Sequence, residues 1–239
     1  SDLNRIVMFD TSDSSLSSLS ESFTQTFLTV FRHELTHATT YNLKNGFWSA
    51  IGKVFGDIAD LGYVFLSSGM AEGASVSSES AFGEGRLNNE FSRHSVKQAK
   101  LEGKFPSYFD MQGASDIYPY GSFYDFNAAF HQWLQEKYGL EKYADFWYTL
   151  INVKRLGVAS SFKKAYGIKL KDAWKAFYED YQVPEIPADP VAGGIVQDFF
   201  TPDSDKYSAD NTYGARYYSL SASEKGMIWA EATSGSVFY

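Results

Sequence analysis

Along the first part of the chain, apolar residues return at helical steps. Between Leu16 and Thr40, residues Leu19, Phe23, Phe27, Val30, Phe31 and Leu35 recur every three or four positions and so share one helix face. The Ser/Asp-rich run from Thr11 to Ser15 supplies N-cap candidates ahead of that helix. The same reading predicts helices over residues 16–43, 47–66, 70–82, 88–102, 122–138, 141–153, 158–166 and 170–182. Residues Gly46 to Leu66 read as a helical hairpin inserted over the site, with Trp48, Ile51, Val54, Phe55, Ile58 and Leu61 as its apolar stripe. Lys104 to Gly121, broken by Pro106, Gly113 and Pro119, reads as a long loop, and Gly139, Gly157 and Gly167 separate the later helices.

The two ends carry a different pattern. Asn4 to Phe9 reads as a strand, and a single strand cannot bury a face alone, so further strands of an N-terminal sheet are expected upstream. After Val183 the helical period stops: Pro184, Pro187, Pro190 and Gly193-Gly194 mark a linker. From Ala215 the chain alternates through Tyr217, Tyr218 and Leu220, turns near Glu224 to Gly226, resumes at Met227 to Ala230, and turns again at Ser234-Gly235. That is hairpin grammar. The expected fold class is therefore mainly α (α+β): a helical domain over 1–183, a linker over 184–214 and a β-hairpin segment over 215–239.

Composition narrows the functional classes. The chain has 239 residues and a net charge of −8, with no basic cluster, which argues against nucleic acid as a partner. No apolar run approaches the roughly 20 residues needed to span a bilayer. There is no cysteine and hence no disulfide framework. Aromatic residues make up 18% of the chain, and the loops are rich in Ser, Gly and Asn, a mix common in exported bacterial proteins. A periplasmic or secreted location is expected on that ground.

Against this background one pentapeptide stands out, because His33-Glu34-Leu35-Thr36-His37 uses two of only four histidines. Four positions apart on a helix, the imidazoles of His33 and His37 share one face and reach a single zinc ion. Glu34, one position along, turns toward the same cavity, where a general base belongs. A zinc site needs a third protein ligand. The position that would give a third histidine in a metzincin is Leu43, so that class is excluded. His94 and His131 lie in polar helical stretches. His94 reads as a surface residue and His131 as packing beside Trp133. Glu72, in Ser68-Gly-Met-Ala-Glu-Gly-Ala-Ser-Val76, is the better candidate, since small residues around it let its helix approach the metal helix. Glu79 and Glu84 are rivals by composition.

The combination of His33-Glu34-x-x-His37 with Glu72-Gly73-Ala74 resembles the gluzincins, zinc peptidases of the aminopeptidase N and thermolysin type. The resemblance covers about residues 5 to 183. Tyr124-Asp-Phe-Asn-Ala-Ala-Phe130-His-Gln-Trp133-Leu134 is similar to a helix of that family, and in this register Tyr124 takes the place of its transition-state tyrosine. Tyr118 and Tyr120 are the alternates. The segment Phe162 to Gly167, followed by Trp174 and Phe177, looks like the closing helices of bacterial members.

The resemblance implies a zincin-like catalytic domain with one Zn2+ held by His33, His37 and Glu72, a zinc-activated water, Glu34 as general base and Tyr124 on the oxyanion. Peptides or proteins are then the substrate. Three departures qualify it. The gap between His37 and Glu72 holds thirty-four residues, Asn127 stands where the family has glycine, and no Gly-x-Met-Glu-Asn segment precedes the metal helix to anchor a free amino terminus. The expectation is therefore an endopeptidase rather than an aminopeptidase. The C-terminal strands resemble the opening blade of a TolB-like β-propeller, with a short β-appendage as the other reading. The alternatives are a zinc-containing, non-catalytic peptidase-like binding module of a cell-envelope protein, and a metal-dependent hydrolase of another substrate such as a glycan.

Overall fold

The computed structural model describes residue 6 and residues 23–56, 61–113, 121–183, 216–223, 226–233 and 236–238. The expected strand at 4–9 (apart from Ile6), the first turns of the expected helix at 16–22, the 184–214 linker, and Tyr118 and Tyr120 lie outside these residues. The chain divides into two units, one over 1–113 and 123–183 and the other over 114–122 and 184–239.

The first unit is mainly helical. Its elements are α1 (Phe23–Tyr41), α2 (Gly46–Phe55), α3 (Leu61–Val64), α4 (Ser68–Glu79), α5 (Glu90–Leu101), α6 (Ser122–Tyr138), α7 (Leu140–Ile151), α8 (Gly157–Tyr166) and α9 (Leu170–Asp180), with 3-10 turns at Arg86–Asn88 and Phe109–Met111. Gly167 closes α8 in the left-handed conformation, φ 78°, a backbone state that glycine enters without a Cβ penalty.

Aromatic side chains of α6 to α9 form the core. Phe130, Phe146, Phe162 and Phe177 are fully buried, as are Leu134 and Leu150. The Phe130 ring sits 5.0 Å from Trp174 and 5.6 Å from Phe177, and Phe146 lies 5.7 Å from Phe162. Each such side chain contributes about 1.5–3 kcal/mol on removal from water, which makes α6 a rigid wall for whatever packs on it.

Helix α4 packs on that wall through glycine. A Cβ at Gly73 would meet the carbonyl carbon of Asn127 at 2.8 Å and Cδ2 of His131 at 3.0 Å, and one at Gly69 would overlap the Met111 carbonyl. The sequence reading assigned these small residues to the approach of the metal helix. In the fold α4 does pack closely on α1, while Gly73 admits α6 and Gly69 admits the 111–112 turn with the Asn127 side chain. Asn127 completes the joint: its Nδ2 donates to the carbonyls of Met111 (2.5 Å) and Phe123 (2.8 Å).

The expected hairpin over 46–66 differs from its reading. Helix α2 ends at Gly56, whose φ is 68°, and α3 is a separate short helix. None of the α2 residues is buried, and Val54 and Phe55 are 74% and 68% exposed, so the part of the apolar stripe carried by α2 is not a core face; Ile58 and the Leu61 side chain lie outside the described residues. What anchors α2 is polar. Asn152, at the end of α7, accepts from the Asn45 N–H (2.6 Å), donates to the Leu43 carbonyl (2.8 Å), and offers its own carbonyl to Trp48 Nε1 (2.8 Å).

In the second unit, β1 (Arg216–Ser223), β2 (Gly226–Thr233) and β3 (Ser236–Phe238) form an antiparallel sheet in the order β1-β2-β3. Arg216 pairs with Ala232 and Glu231 with Phe238, and the β1–β2 register shifts between Tyr218 and Ser221. Among the described residues no helix is long and apolar enough to cross a membrane.

Candidate metal centre

Two helices build the centre. On α1, His33 and His37 stand one turn apart with ring centroids 4.8 Å from each other, and Tyr41 stacks on His37 one turn further on. On α4, Glu72, Ser75 and Glu79 follow at steps of three and four and face α1 as a polar stripe on an otherwise small-residue helix. The structure brings together three of the sequence-predicted residues. His33 Nε2 lies 3.0 Å from Glu72 Oε2 and 3.2 Å from His37 Nε2, and His37 Nε2 lies 3.4 Å from the same Glu72 oxygen. Among the described residues, this trio is the group whose ligand atoms are close enough to share an ion.

The donor set fits zinc on geometry and on chemistry. Ligands about 2.0–2.1 Å from a tetrahedral zinc ion lie about 3.3 Å from one another, and the three observed separations bracket that edge. Two imidazole nitrogens and a carboxylate oxygen that all point lone pairs at one spot repel unless a proton or a cation sits there.

The far nitrogens are also held. His33 Nδ1 is 3.0 Å from Glu79 Oε2, so Glu79, weighed from the sequence as a rival ligand, is the outer carboxylate that orients the His33 ring. Arg86 grips the same carboxylate: its Nε and backbone N donate to Oε1 at 2.8 and 3.2 Å, and its Nη2 donates to Oε2 at 3.1 Å. Nη2 also lies 3.0 Å from His33 Nδ1; when Nδ1 carries its hydrogen both are donors, and the Oε2 between them accepts from both. On the second ring, His37 Nδ1 meets Ser75 Oγ at 3.2 Å and the Tyr41 hydroxyl at 3.4 Å.

Electrostatics follow from these contacts. Burial works to raise the Glu72 carboxyl, but the hydrogen bonds from His33 and His37 outweigh it and hold it down at about 2. Glu79 is likewise pushed up by burial and, on balance, lowered by His33 and Arg86. Burial pulls the His33 ring down, while Glu72 and Glu79 more than restore it, so the net direction is upward.

Tyr124, at the start of α6, lies half-buried with its ring 5.1 Å from the Arg86 guanidinium carbon. Its hydroxyl is raised, first by burial and then by the Glu72 charge, against the opposing pull of Arg86 and with a smaller push from Glu34. Its neighbour Asp125 is half-buried, and that partial burial pushes its carboxyl up to about 6 against the pull of Arg86.

The remaining candidates stand elsewhere. Glu84 pairs with Arg32 at 3.2 Å. His94 is exposed on α5. His131 is fully buried, shares a hydrogen bond between its Nδ1 and the Tyr143 hydroxyl (2.8 Å) and stacks on Trp147. The sequence reading put His131 beside Trp133, but that indole stacks on Phe130 instead. The sequence reading missed the role of Glu79 and missed Arg86 altogether. The role of Glu79 was readable from its seven-residue spacing to Glu72, two turns on the same face. Arg86 gave no signal, since a loop residue shows no period.

No family profile matches the chain, and no solved structure matches it. A protein of Treponema pallidum (strain Nichols), described as uncharacterized, is 30% identical over 170 residues, which is 71% of this chain and 14% of that protein. The chain thus spans 14% of the length of the curated relative it matches.

Proposed function

We propose that the helical unit is the catalytic domain of a zinc-dependent peptide-bond hydrolase of gluzincin type, acting as an endopeptidase. The observation that carries this reading is the convergence of His33 Nε2, His37 Nε2 and Glu72 Oε2 at 3.0–3.4 Å, with Glu79 behind His33. In this reading those three side chains hold one Zn2+, which when bound supplies a Lewis acid that acidifies water and polarises a carbonyl. Glu34 takes the proton from the attacking water and passes it to the leaving amine, a role worth about 10²–10⁴-fold in rate. The Tyr124 hydroxyl donates to the carbonyl oxygen as negative charge grows on it, worth about 3 kcal/mol in the transition state. Glu79 keeps the His33 ring turned so that Nε2 faces the ion.

The antiparallel meander of the second unit supports a further proposal, that it opens a four-stranded propeller blade of a periplasmic or secreted protein. The test of the catalytic reading is direct. Purified protein should contain one equivalent of zinc by elemental analysis and should cleave casein or a peptide library, with cleavage abolished by a chelator and restored by zinc. Zinc without cleavage favours the binding-module reading, and no zinc after metal-replete purification refutes the centre.

A further inference from the structure

Arg86 is held by a purpose-shaped loop. It lies seven positions after Glu79, and the chain doubles back between them: the Leu87 N–H donates to Ser80 Oγ at 3.1 Å, and Asn88 Nδ2 donates to the Ser80 carbonyl at 2.7 Å. Gly85, with φ 93°, makes the return possible, since a Cβ there would lie 2.9 Å from the Glu79 carbonyl. The guanidinium that arrives has two separate occupations. Its donor edge grips both oxygens of Glu79, and its central carbon lies over the Tyr124 ring, 5.1 Å from the centroid.

We infer that Arg86 is a positioning residue that keeps two parts of the centre in register, fixing the His33 ring through Glu79 and the Tyr124 ring through its own face. The inference rests on the metal-centre reading above. It follows from the connectivity: His33 stands on α1, Glu79 on α4 and Tyr124 on α6, and one planar cation touches the last two while bracing the first. Lysine cannot replace it, because an ammonium is a point charge that offers neither a fork for two carboxylate oxygens nor a flat surface for a ring.

The test compares Arg86→Lys, Arg86→Gln and the double variant Glu79→Gln/Arg86→Gln, reading zinc affinity by competition with a chromophoric chelator. Loss of an outer partner of a ligating histidine typically weakens metal binding about 10–100-fold, and that range is expected for Arg86→Gln. Arg86→Lys should fall about tenfold although its charge is intact. Should Arg86→Gln fail to fold because Glu79 is left buried without its cation, the double variant removes that defect and must still bind zinc weakly.

Wild-type zinc affinity in Arg86→Lys or in the double variant overturns the His33 arm. The Tyr124 arm is read from kcat at unchanged KM. The losses from Arg86→Lys and Tyr124→Phe should combine to less than their product, and full independence overturns that arm. Failure of wild-type protein to bind zinc condemns the metal-centre reading itself and is seen before any variant is compared. Tight zinc without turnover leaves the affinity comparison decisive for Arg86.

Discussion

Gly73→Ala is the most informative single change, because it tests whether the packing of α4 and the geometry of the metal centre are one thing. The added methyl would meet the Asn127 carbonyl carbon at 2.8 Å and His131 Cδ2 at 3.0 Å, with Asn127 Cβ closer still. Carbon atoms rest about 3.5–4.0 Å apart, so α4 must retreat from α6 by about 1 Å. The wall it retreats from does not yield, since Asn127 and His131 are both fully buried and hydrogen-bonded. Overpacking of this kind costs about 1–3 kcal/mol, or roughly 3–10 °C in melting temperature for a unit of this size.

The retreat also carries Glu72 and Glu79 with it, toward α1. Ligand separations of 3.0–3.4 Å do not survive a 1 Å displacement unchanged, so zinc affinity should fall about tenfold or more together with stability. Thermal unfolding of the metal-free protein and chelator competition read the two effects separately. Gly52→Ala is the control: a Cβ there meets nothing within 4 Å, and its helical position should make alanine neutral or stabilising by up to about 1 kcal/mol. If Gly73→Ala melts with the wild type and binds zinc equally well, α4 is not wedged against α6 and the argument fails.

Three further outcomes are expected. Glu34→Gln should retain zinc and lose turnover by about 10²–10⁴-fold, and full activity in that variant refutes the base assignment. His37→Ala should lose zinc and activity together, as elemental analysis of the purified variant will show. Burial pushes the His131 ring down to about 3, so the folded protein excludes a proton that the unfolded chain takes up near pH 6.5. The contribution of neutral His131 is whole above pH 6.5 and is lost as pH falls toward 3, at about 1.4 kcal/mol per unit; His131→Leu should flatten this slope in acid denaturation, and equal slopes refute it.

Helix α1 was legible because its signal is local. Two histidines one turn apart name both their neighbour and their direction, and the period from Phe23 to Leu35 fixes the helix that carries them. Helix α6 was predicted over 122–138 and spans those residues, since a run of aromatics at helical spacing without Gly or Pro admits no other element. Glu72 was reached through the small residues around it, although Gly73 answers to α6 and Gly69 to the 111–112 turn with the Asn127 side chain. The rest depends on tertiary choices that no period records. An apolar helix such as α2 looks the same in sequence whether its face is covered or, as here, left exposed. Arg86 reaches Glu79 through the shape of a loop.

One consequence of Asn152 reaches beyond its hydrogen bonds. A single carboxamide closes both the entry to α2 and the exit from α7, segments more than a hundred positions apart in the sequence. Helix α7 packs on its immediate successor α8, and contacts of that sort assemble quickly. This clasp cannot close until the intervening stretch has collapsed. It should therefore be among the last features to form during folding and among the first to let go under denaturant, so that the α2 region opens while the aromatic interior is still intact.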